Sequence, residues 1–306
     1  MPQSQALILE DRGVLAVEGP DGRSFLQGLI SNDVEKASAE RAIWAALLTP
    51  QGKFLHEFFI FNPEPEVLLL DCEAARLADL KKRLSLYKLR SKATVRDASE
   101  AYFVAAFFGG DALDRLDLPA EPGRTAPLKG GQVAVDPRLA GLGARAVLAR
   151  PDAAAAPDLP GDLPGDLPGF APATRADYDR LRIALGVPDG SRDLQVEKAI
   201  LLENGFDELR GIDWDKGCFM GQELTARTRY RGLVKKRLLP VRFDGPAPAP
   251  GSQVTCDGKD AGTLCSSVGD QGLALLRLER LEGPLVAEGR VLTPRLPDWI
   301  ALPERA

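Results

Sequence analysis

The chain has 306 residues, of which 44% are hydrophobic and 27% are charged, and its formal net charge is −5. This length predicts two domains, or three small ones, of an ordinary globular protein. The acidic balance argues against a global basic field for nucleic acid, and no run approaches the ~20 apolar residues of a membrane span. Residues 1–5 lack the basic start and apolar core of a secretory signal, so we expect a cytoplasmic location.

The first half of the chain has the pattern of strands interrupted by two helices. Strands are predicted at residues 6–18 (a pair joined by a turn at 11–13), 43–49, 54–61, 67–70 and 102–108. Asp21 is the predicted N-cap of a short helix that begins at Gly22. Apolar residues at helical spacing from Ala74 to Tyr87 predict an amphipathic helix packed on a sheet.

The second half begins with a repeat and ends with short strands. Asp-Leu-Pro-Gly at residues 158–161 recurs at 162–165 and 166–169, which predicts a low-complexity loop over 151–173. A helix follows from Tyr178 to Leu185. From Leu238 onward, β-prone runs alternate with turns, as is typical of a small antiparallel barrel. We therefore predict an α+β protein with domains at 1–236 and 237–306.

Cysteine and histidine usage narrows the possible chemistry. Cys72, Cys218, Cys256 and Cys265 form no Cys-x-x-Cys pair, which argues against a zinc site built from cysteines. His56 is the single histidine, so zinc sites with several histidines are excluded within this chain. Any hydrolase of the Ser-His-Asp or Cys-His type would have to use His56, which lies in a predicted strand and is interpreted as structural.

One short motif carries the strongest functional signal, Lys216-Gly217-Cys218-Phe219-Met220-Gly221-Gln222-Glu223. The thiolate is the form of cysteine that attacks electrophiles and binds metals, and a neighbouring cation and a helix start both favour it. Gly217 and Gly221 permit backbone angles that hold the sulfur outward. The alternative is a free cysteine packed as a small hydrophobic residue.

This motif, with Ala226-Arg227, Tyr230-Arg231-Gly232 and Lys235-Lys236-Arg237 after it, resembles the signature of the YgfZ-type folate-binding proteins. These are relatives of the glycine-cleavage T-protein, an aminomethyltransferase. Weaker similarities lie at residues 25–34, 48–53 and 87–92. The resemblance implies a T-protein-like (GcvT-like) fold of two interleaved α+β lobes and a C-terminal antiparallel β-barrel, with folate near the centre.

The resemblance also implies a tetrahydrofolate site, for the cofactor itself or a one-carbon derivative. Tyr178 is the candidate for stacking on the pterin, with Trp214 as the alternative, and Asn32 lies on the folate-facing wall of the first lobe. Arg227, Arg229 and Tyr230 begin a basic run that extends to Arg237. Guanidinium groups bind carboxylates in a two-pronged geometry, so part of this run is predicted to bind the glutamyl tail. The alternatives for this basic run are that it forms a solvated surface without a ligand or that it contacts RNA.

Two positions depart from the T-protein pattern. The turn at Gly52-Lys53 leads to His56-Glu57, where the T-protein has paired aspartates, and this argues against aminomethyl transfer. Ala184 stands where the T-protein and many relatives carry a glutamate that meets the pterin. Alanine cannot pair with the polar edge of a pterin, so we expect a shifted or weak folate pose.

The combined expectation is a folate-binding accessory factor for assembly or maintenance of iron-sulfur proteins, including enzymes that modify tRNA, rather than an ordinary enzyme. Cys218 would bind iron transiently in a cluster shared with a partner, or act as a redox nucleophile, and Lys216 would favour its thiolate. Gln222 and Glu223 would anchor the helix start, and Arg227 would bind the folate tail or pair with Glu223. The alternatives are a folate-dependent one-carbon transferase and a tRNA-binding regulator.

Overall fold

The computed structural model describes residues 3–150 and 169–302. The chain divides into two compact units, and each unit collects separate segments of sequence. The first unit takes residues 1–47, 56–178 and 210–219, and the second takes 48–55, 179–209 and 220–306. The predicted loop at 151–173 lies outside the described residues except for its last five. The predicted domain boundary at 236/237 stays a prediction.

A five-stranded sheet follows the order β3-β4-β5-β2-β6. Its strands are β2 (Arg12–Glu18), β3 (Ile43–Leu48), β4 (Phe54–Glu64), β5 (Val67–Glu73) and β6 (Thr94–Asp97). The residues of β3 are all buried, which explains why its sequence is continuously apolar rather than alternating. The predicted turn at 50–52 does connect β3 to β4.

A six-stranded sheet in the first unit follows the order β11-β1-β7-β10-β9-β8. Its strands are β1 (Gln5–Ile8), β7 (Tyr102–Phe108), β8 (Thr125–Leu128), β9 (Gly131–Val135), β10 (Ala144–Ala149) and β11 (Ala171–Pro172). The predicted pairing of the first two strands is wrong, because β1 pairs with β7 and β11 whereas β2 pairs with β5 and β6. Part of the predicted loop, β11, is a short parallel strand beside β1.

Six α-helices occur within the described residues: α1 (Gly22–Gln27), α2 (Leu77–Lys88), α3 (Ala112–Arg115), α4 (Arg175–Ala184), α5 (Gly190–Asp193) and α6 (Gln222–Tyr230). Helix α2 buries Leu77, Leu80 and Leu84, which is the apolar face that the spacing predicts. Asp21 precedes α1, but its side chain accepts from Lys92 N at 2.6 Å and makes no cap bond. No helix in residues 3–150 or 169–302 reaches the length and hydropathy of a transmembrane span.

The second unit contains a closed six-stranded barrel in the order β12-β15-β14-β13-β16-β17. Its strands are β12 (Lys236–Phe243), β13 (Gln253–Cys256), β14 (Lys259–Val268), β15 (Gln271–Arg277), β16 (Leu285–Ala287) and β17 (Arg290–Pro294). Leu239, Val241, Leu264 and Leu276 belong to the buried cluster that fills it. The predicted α+β class with a C-terminal antiparallel barrel is therefore confirmed.

Candidate functional site

Cys218 is the exposed cysteine of this chain. Cys72 and Cys256 are buried and Cys265 is partly buried, and none of the four is in a disulfide. Burial raises the pKa of the Cys265 thiol to about 12 and raises that of Cys72 as well, so both remain protonated thiols at neutral pH. The accessible sulfur predicted from the motif is thus present, on the loop formed by residues 216–219, which we call the cysteine loop.

Lys216 fixes the cysteine loop to the backbone of the first unit. Its Nζ donates to the carbonyl oxygens of Gln27 at 2.7 Å, Ile30 at 2.6 Å and Asn32 at 2.8 Å. An ammonium group has three protons, so none remains for the sulfur of Cys218. Burial lowers the pKa of Lys216 to about 8, against the opposing influence of Asp33 and Asp213. Lys216 is therefore a positioning residue, and its electrostatic effect on the thiol stays a prediction.

The segment that leads into the cysteine loop is held in the same way. The backbone N–H of Asp213 donates to Ser31 O at 3.0 Å, and Ser31 Oγ donates to Gly211 O at 2.6 Å. The carboxylate of Asp213 also forms a close ion pair with Lys36. Phe219 closes the loop as a buried ring, 5.3 Å from the Lys216 ammonium. The loop is thus anchored at both ends while Cys218 faces solvent.

Asn32 supports this arrangement with all of its side-chain polar atoms. Its Nδ2 donates to Trp44 O at 2.7 Å and to Arg210 O at 2.8 Å, and its Oδ1 accepts from Asp33 N at 2.8 Å. Both amide protons are therefore used within the protein. The structure gives Asn32 a role in holding the segment before the cysteine loop, and its predicted contact with folate stays a prediction.

The two glycines of the motif meet different surroundings. Gly217 has φ +88, and a Cβ at this position would meet nothing within 4 Å. Gly221 has φ +78, and its Cβ would lie 2.4 Å from Thr49 O within the second unit. Gly52 faces it reciprocally, since a Cβ there would lie 2.6 Å from Gly221 O. Gly217 is needed for its backbone angle alone, whereas Gly221 is also needed for a close backbone approach.

Helix α6 begins at Gln222, as the motif predicts, with Gly221 as its N-cap residue. Glu223 lies in its first turn, and no ion pair links it to Arg227 within residues 3–150 and 169–302. That predicted alternative is therefore wrong. Arg229 pairs with Asp207 at 3.7 Å, and Tyr230 is 76% exposed at the end of the helix.

The basic run from Arg227 to Arg237 is not one uniform face. Arg227, Arg231 and Lys235 are exposed, but Arg237 is buried. The guanidinium of Arg237 donates to Leu202 O at 2.7 Å and to Glu208 Oε1 at 2.5 Å. Arg237 is thus part of the packing of the second unit, whereas the binding of a glutamyl tail by Arg227, Arg229 and Tyr230 stays a prediction.

Tyr178 is not placed as a stacking platform in this structure. It is 3% exposed, its ring meets Phe108 edge to face at 5.5 Å, and Arg175 lies 5.7 Å from its centre. Arg138 donates to its hydroxyl at 3.3 Å. Trp214, the alternative, is partly buried. The side chains of Tyr178 and Asn32 therefore do not fit a pterin in their present positions.

A buried network of charges lies in the interior of the first unit, and the sequence patterns did not single it out. Arg12 donates to Glu57 Oε1 and to Asp71 Oδ1, both at 2.6 Å, and Arg145 forms a close pair with the same Asp71. Trp44 Nε1 donates to Glu57 Oε2 at 2.5 Å. Burial alone would raise the pKa of Asp71, but the charges of Arg12 and Arg145 lower it below its ordinary value.

The same network surrounds one aromatic ring. The guanidinium carbons of Arg145, Arg138 and Arg12 lie 4.1, 4.8 and 5.7 Å from the centre of Phe59. Arg138 is neutralised by Asp136 at 2.7 Å. The signal for this network was a charged residue inside an apolar strand, such as Arg145 between alanines. Because three cations face three carboxylates, the network is interpreted as structural.

His56 is also structural. It is buried, and its Nε2 lies 2.8 Å from Asp79 Oδ2. Burial, with a smaller contribution from the charge of Arg76, lowers the pKa of His56 to about 4. Within the described part of the chain, no group of three or more His, Cys, Asp or Glu residues could hold a metal ion.

Comparison with known proteins identifies relatives over most of the chain. The iron-sulfur cluster assembly factor IBA57, mitochondrial, of Mus musculus is 35% identical, and the alignment covers 95% of this chain and 84% of that protein. The Homo sapiens protein of the same name gives the same identity and coverage. Both names place these relatives in the mitochondrion, which contradicts the cytoplasmic location predicted above.

The fold has its own matches. Residues 235–302 match the family model described as CAF17, C-terminal beta-barrel domain. The crystal structure of the glycine cleavage system aminomethyltransferase T from Bartonella henselae superposes with a TM-score of 0.76 at 15% identity, covering 97% of this chain and 86% of that one. At this identity the likeness shows the fold alone, and it confirms the T-protein-like architecture predicted from the motifs.

Proposed function

Because this chain belongs to the IBA57 family of iron-sulfur cluster assembly factors, we propose that it assists the assembly or maintenance of iron-sulfur proteins through the thiol of Cys218. The observation that carries the proposal is an exposed sulfur on an anchored loop, in a chain whose other cysteines are buried or partly buried. The YgfZ-type assignment names a related family, and this finer placement stays a prediction.

The thiol of Cys218 is suited to be a transient ligand of iron in a cluster. A thiolate is a soft ligand that iron in clusters prefers, and a cluster is ordinarily held by four such ligands. Cys218 supplies one, and the described residues contain no metal-binding group that could supply the others. The cluster is therefore cargo, and a partner protein contributes the remaining ligands. On binding, the thiol loses its proton to solvent and the sulfur forms one bond to iron.

Lys216 and Gly217 hold Cys218 in a defined place. The three hydrogen bonds of Lys216 keep the base of the loop in place, and the positive φ of Gly217 turns the chain so that the next residue is exposed. A preorganised loop loses less conformational entropy when a partner binds. These residues thus present one sulfur at a defined place, which is what sharing a cluster with a second protein requires.

The test is complementation. The organism's own gene is deleted and replaced by the wild type, Cys218→Ser or the control Cys265→Ala, and the activities of iron-sulfur enzymes are measured beside an enzyme without a cluster. We expect Cys265→Ala to restore the cluster enzymes and Cys218→Ser not to, at equal protein levels. Full restoration by Cys218→Ser would exclude the thiol from the function.

The identity of the clients is a finer part of the proposal. We propose that they include iron-sulfur enzymes that modify tRNA, as the motif resemblance implies. In the same strains, loss of the cluster-dependent tRNA modification in Cys218→Ser, together with loss of other cluster enzymes, would support this. Unchanged modification, with the other cluster enzymes impaired, would remove tRNA-modifying enzymes from the client set.

Tetrahydrofolate binding stays a prediction and has a separate test. Titration of tetrahydrofolate against the wild type and Tyr178→Ala shows whether the predicted stacking residue contributes, and Arg227→Gln tests the tail contact. Equal affinity in all three proteins would remove both residues from the site. A one-carbon transferase, the alternative class, would keep its activity in Cys218→Ser.

A further inference from the structure

A pocket in the first unit, separate from the cysteine loop, has a lining dominated by cations. Its volume is about 440 Å³, and it is lined by Lys36, Ser38, Glu40, Arg41 and Arg124. Three cations thus share the lining with one carboxylate. The volume lies within the range of small-molecule sites, roughly 300–1,000 Å³. Its size suits a small ligand, and its two guanidinium groups and one ammonium group are the donors that bind carboxylates and phosphates.

The backbone places the two arginines of this pocket side by side. Arg41 and Arg124 face each other across an antiparallel bridge. On either side of the bridge, Ala42 N donates to Gly123 O at 2.8 Å and Thr125 N donates to Glu40 O at 3.0 Å. A Cβ on Gly123, which has φ +85, would lie 2.7 Å from Ala42 O, so only glycine allows this approach.

Side chains brace the same segment. Thr125 Oγ1 donates to Ala39 O at 2.6 Å, and Gln132 Nε2 donates to the same oxygen at 3.1 Å. Ser38 and Arg41 exchange backbone hydrogen bonds of 2.8 and 3.2 Å. The bases of the two arginines are therefore fixed before any ligand arrives, which lowers the entropy lost on binding.

Placing two like charges directly opposite each other is unfavourable. Each guanidinium has one carboxylate partner: Arg41 pairs with Glu121 at 2.6 Å and Arg124 with Glu40 at 3.1 Å. The two carboxylates are 56% and 75% exposed, and exposed ion pairs contribute little to stability because solvent screens them. A ligand that carries its own negative groups can therefore replace these partners at little cost.

The third cation connects the pocket to the segment that carries the thiol. Lys36 forms its ion pair with Asp213, which lies five residues before Cys218 in the sequence. The hydrogen bond from Lys36 to Asp213 raises the pKa of the lysine above its ordinary value, so Lys36 is charged at neutral pH.

We propose that this pocket binds a small anion carrying at least two carboxylate or phosphate groups. Arg41 and Arg124 bind one group each in the two-pronged geometry of guanidinium, and Lys36 adds a point charge. The site uses neither Cys218 nor Lys216, and it shares with the cysteine loop only the ion pair of Lys36 with Asp213.

Calorimetric titration tests the proposal on the full chain at low ionic strength. Citrate and pyrophosphate are the probes, and acetate is the control with a single charge. We expect both polyanions to bind at least about tenfold more tightly than acetate, a difference of ~1.4 kcal/mol. The polyanion that binds more tightly identifies the carboxylate or phosphate class. Equal binding of all three anions would overturn the proposal.

Variants then locate the site. Arg41→Gln with Arg124→Gln should weaken the tighter polyanion at least about tenfold, whereas the control Arg96→Gln, an exposed arginine paired with Glu18, should not. Arg41→Lys with Arg124→Lys keeps the charge and loses the two-pronged geometry, so it should give an intermediate loss and covers the case in which the glutamine variant fails to fold. Affinity equal to that of Arg96→Gln in either double variant would overturn the assignment.

Discussion

The two glycines of the cysteine motif offer a matched pair of alanine substitutions. Gly217 and Gly221 both have positive φ, +88 and +78, so alanine is strained at both positions. A left-handed conformation costs a non-glycine residue ~1–2 kcal/mol. At Gly217 this is the whole cost, because the added Cβ would meet open space. We expect Gly217→Ala to lower the free energy of unfolding by about 1 kcal/mol, since alanine also restricts the unfolded chain.

Gly221→Ala adds a steric term to the same backbone strain. Its Cβ would lie 2.4 Å from Thr49 O and 3.0 Å from both Gly52 Cα and Leu48 Cβ. Two of these three atoms are backbone, so the chain itself must move, and such overpacking costs ~1–3 kcal/mol. Added to the net backbone cost of about 1 kcal/mol, the overpacking gives an expected total of about 2–4 kcal/mol. Urea unfolding followed by circular dichroism measures both variants, and losses equal within about 0.5 kcal/mol would refute the close approach at Gly221.

Three further substitutions probe the first unit. Lys216→Met should lower the free energy of unfolding by ~2–3 kcal/mol in urea unfolding. This is less than the sum of three charged hydrogen bonds, because water can hydrate the carbonyl oxygens that lose their donor. The control Lys82→Met, at an exposed lysine, should change the free energy of unfolding by no more than ~0.5 kcal/mol. The folded-state pKa of His56 is about 4 against 6.5, so the unfolded chain binds more protons between these values. The free energy of unfolding should therefore fall by up to ~3 kcal/mol as the pH drops from 6.5 to 4. His56→Asn should flatten this part of the pH profile. If the profile of His56→Asn equals that of the wild type, His56 is not buried in its neutral form. Asp71→Asn should cost ~3–5 kcal/mol in urea unfolding, because it leaves buried guanidinium charge without a full partner; a loss below 1 kcal/mol would show that the network relaxes.

The strands were predictable from sequence more reliably than their partners. Alternation and apolar runs identify which residues are buried, and they located β3 and β7 correctly and indicated a C-terminal barrel without giving the bounds of its strands. They carry no information on which strand lies alongside. Residues 11–13 have turn composition, so β1 and β2 were predicted to pair, yet each joins a different sheet. Partner choice depends on contacts distant in sequence, such as β1 with β7.

In the candidate site, too, the sequence identified some residues but not the contacts that they make. Cys218 and its glycines were predictable because turn chemistry and a thiol are visible in the residue types themselves. The partners of Lys216 were not, because all three are backbone carbonyls, which every residue possesses. Arg145 and Arg237 were missed as interior residues, because a cation read from sequence is assigned to the surface unless its carboxylate partner is known.

The position of the Lys216 ammonium indicates that this residue holds the cysteine loop in place. All three protons of the ammonium are donated to backbone carbonyls, so Lys216 makes no hydrogen bond to Cys218, and its electrostatic effect on the thiol stays a prediction. A half-buried lysine whose ammonium group donates to three backbone carbonyls is a strong tether, and its loss would let the loop move. If Cys218 contributes one ligand to a shared cluster, as proposed above, a fixed sulfur matters more than a reactive one, because the partner must find it within bonding distance of iron. The order of severity should therefore be Cys218→Ser, then Lys216→Met, then Lys216→Arg, in complementation of cluster enzymes at equal protein levels. Full complementation by Lys216→Met would show that the tether is dispensable.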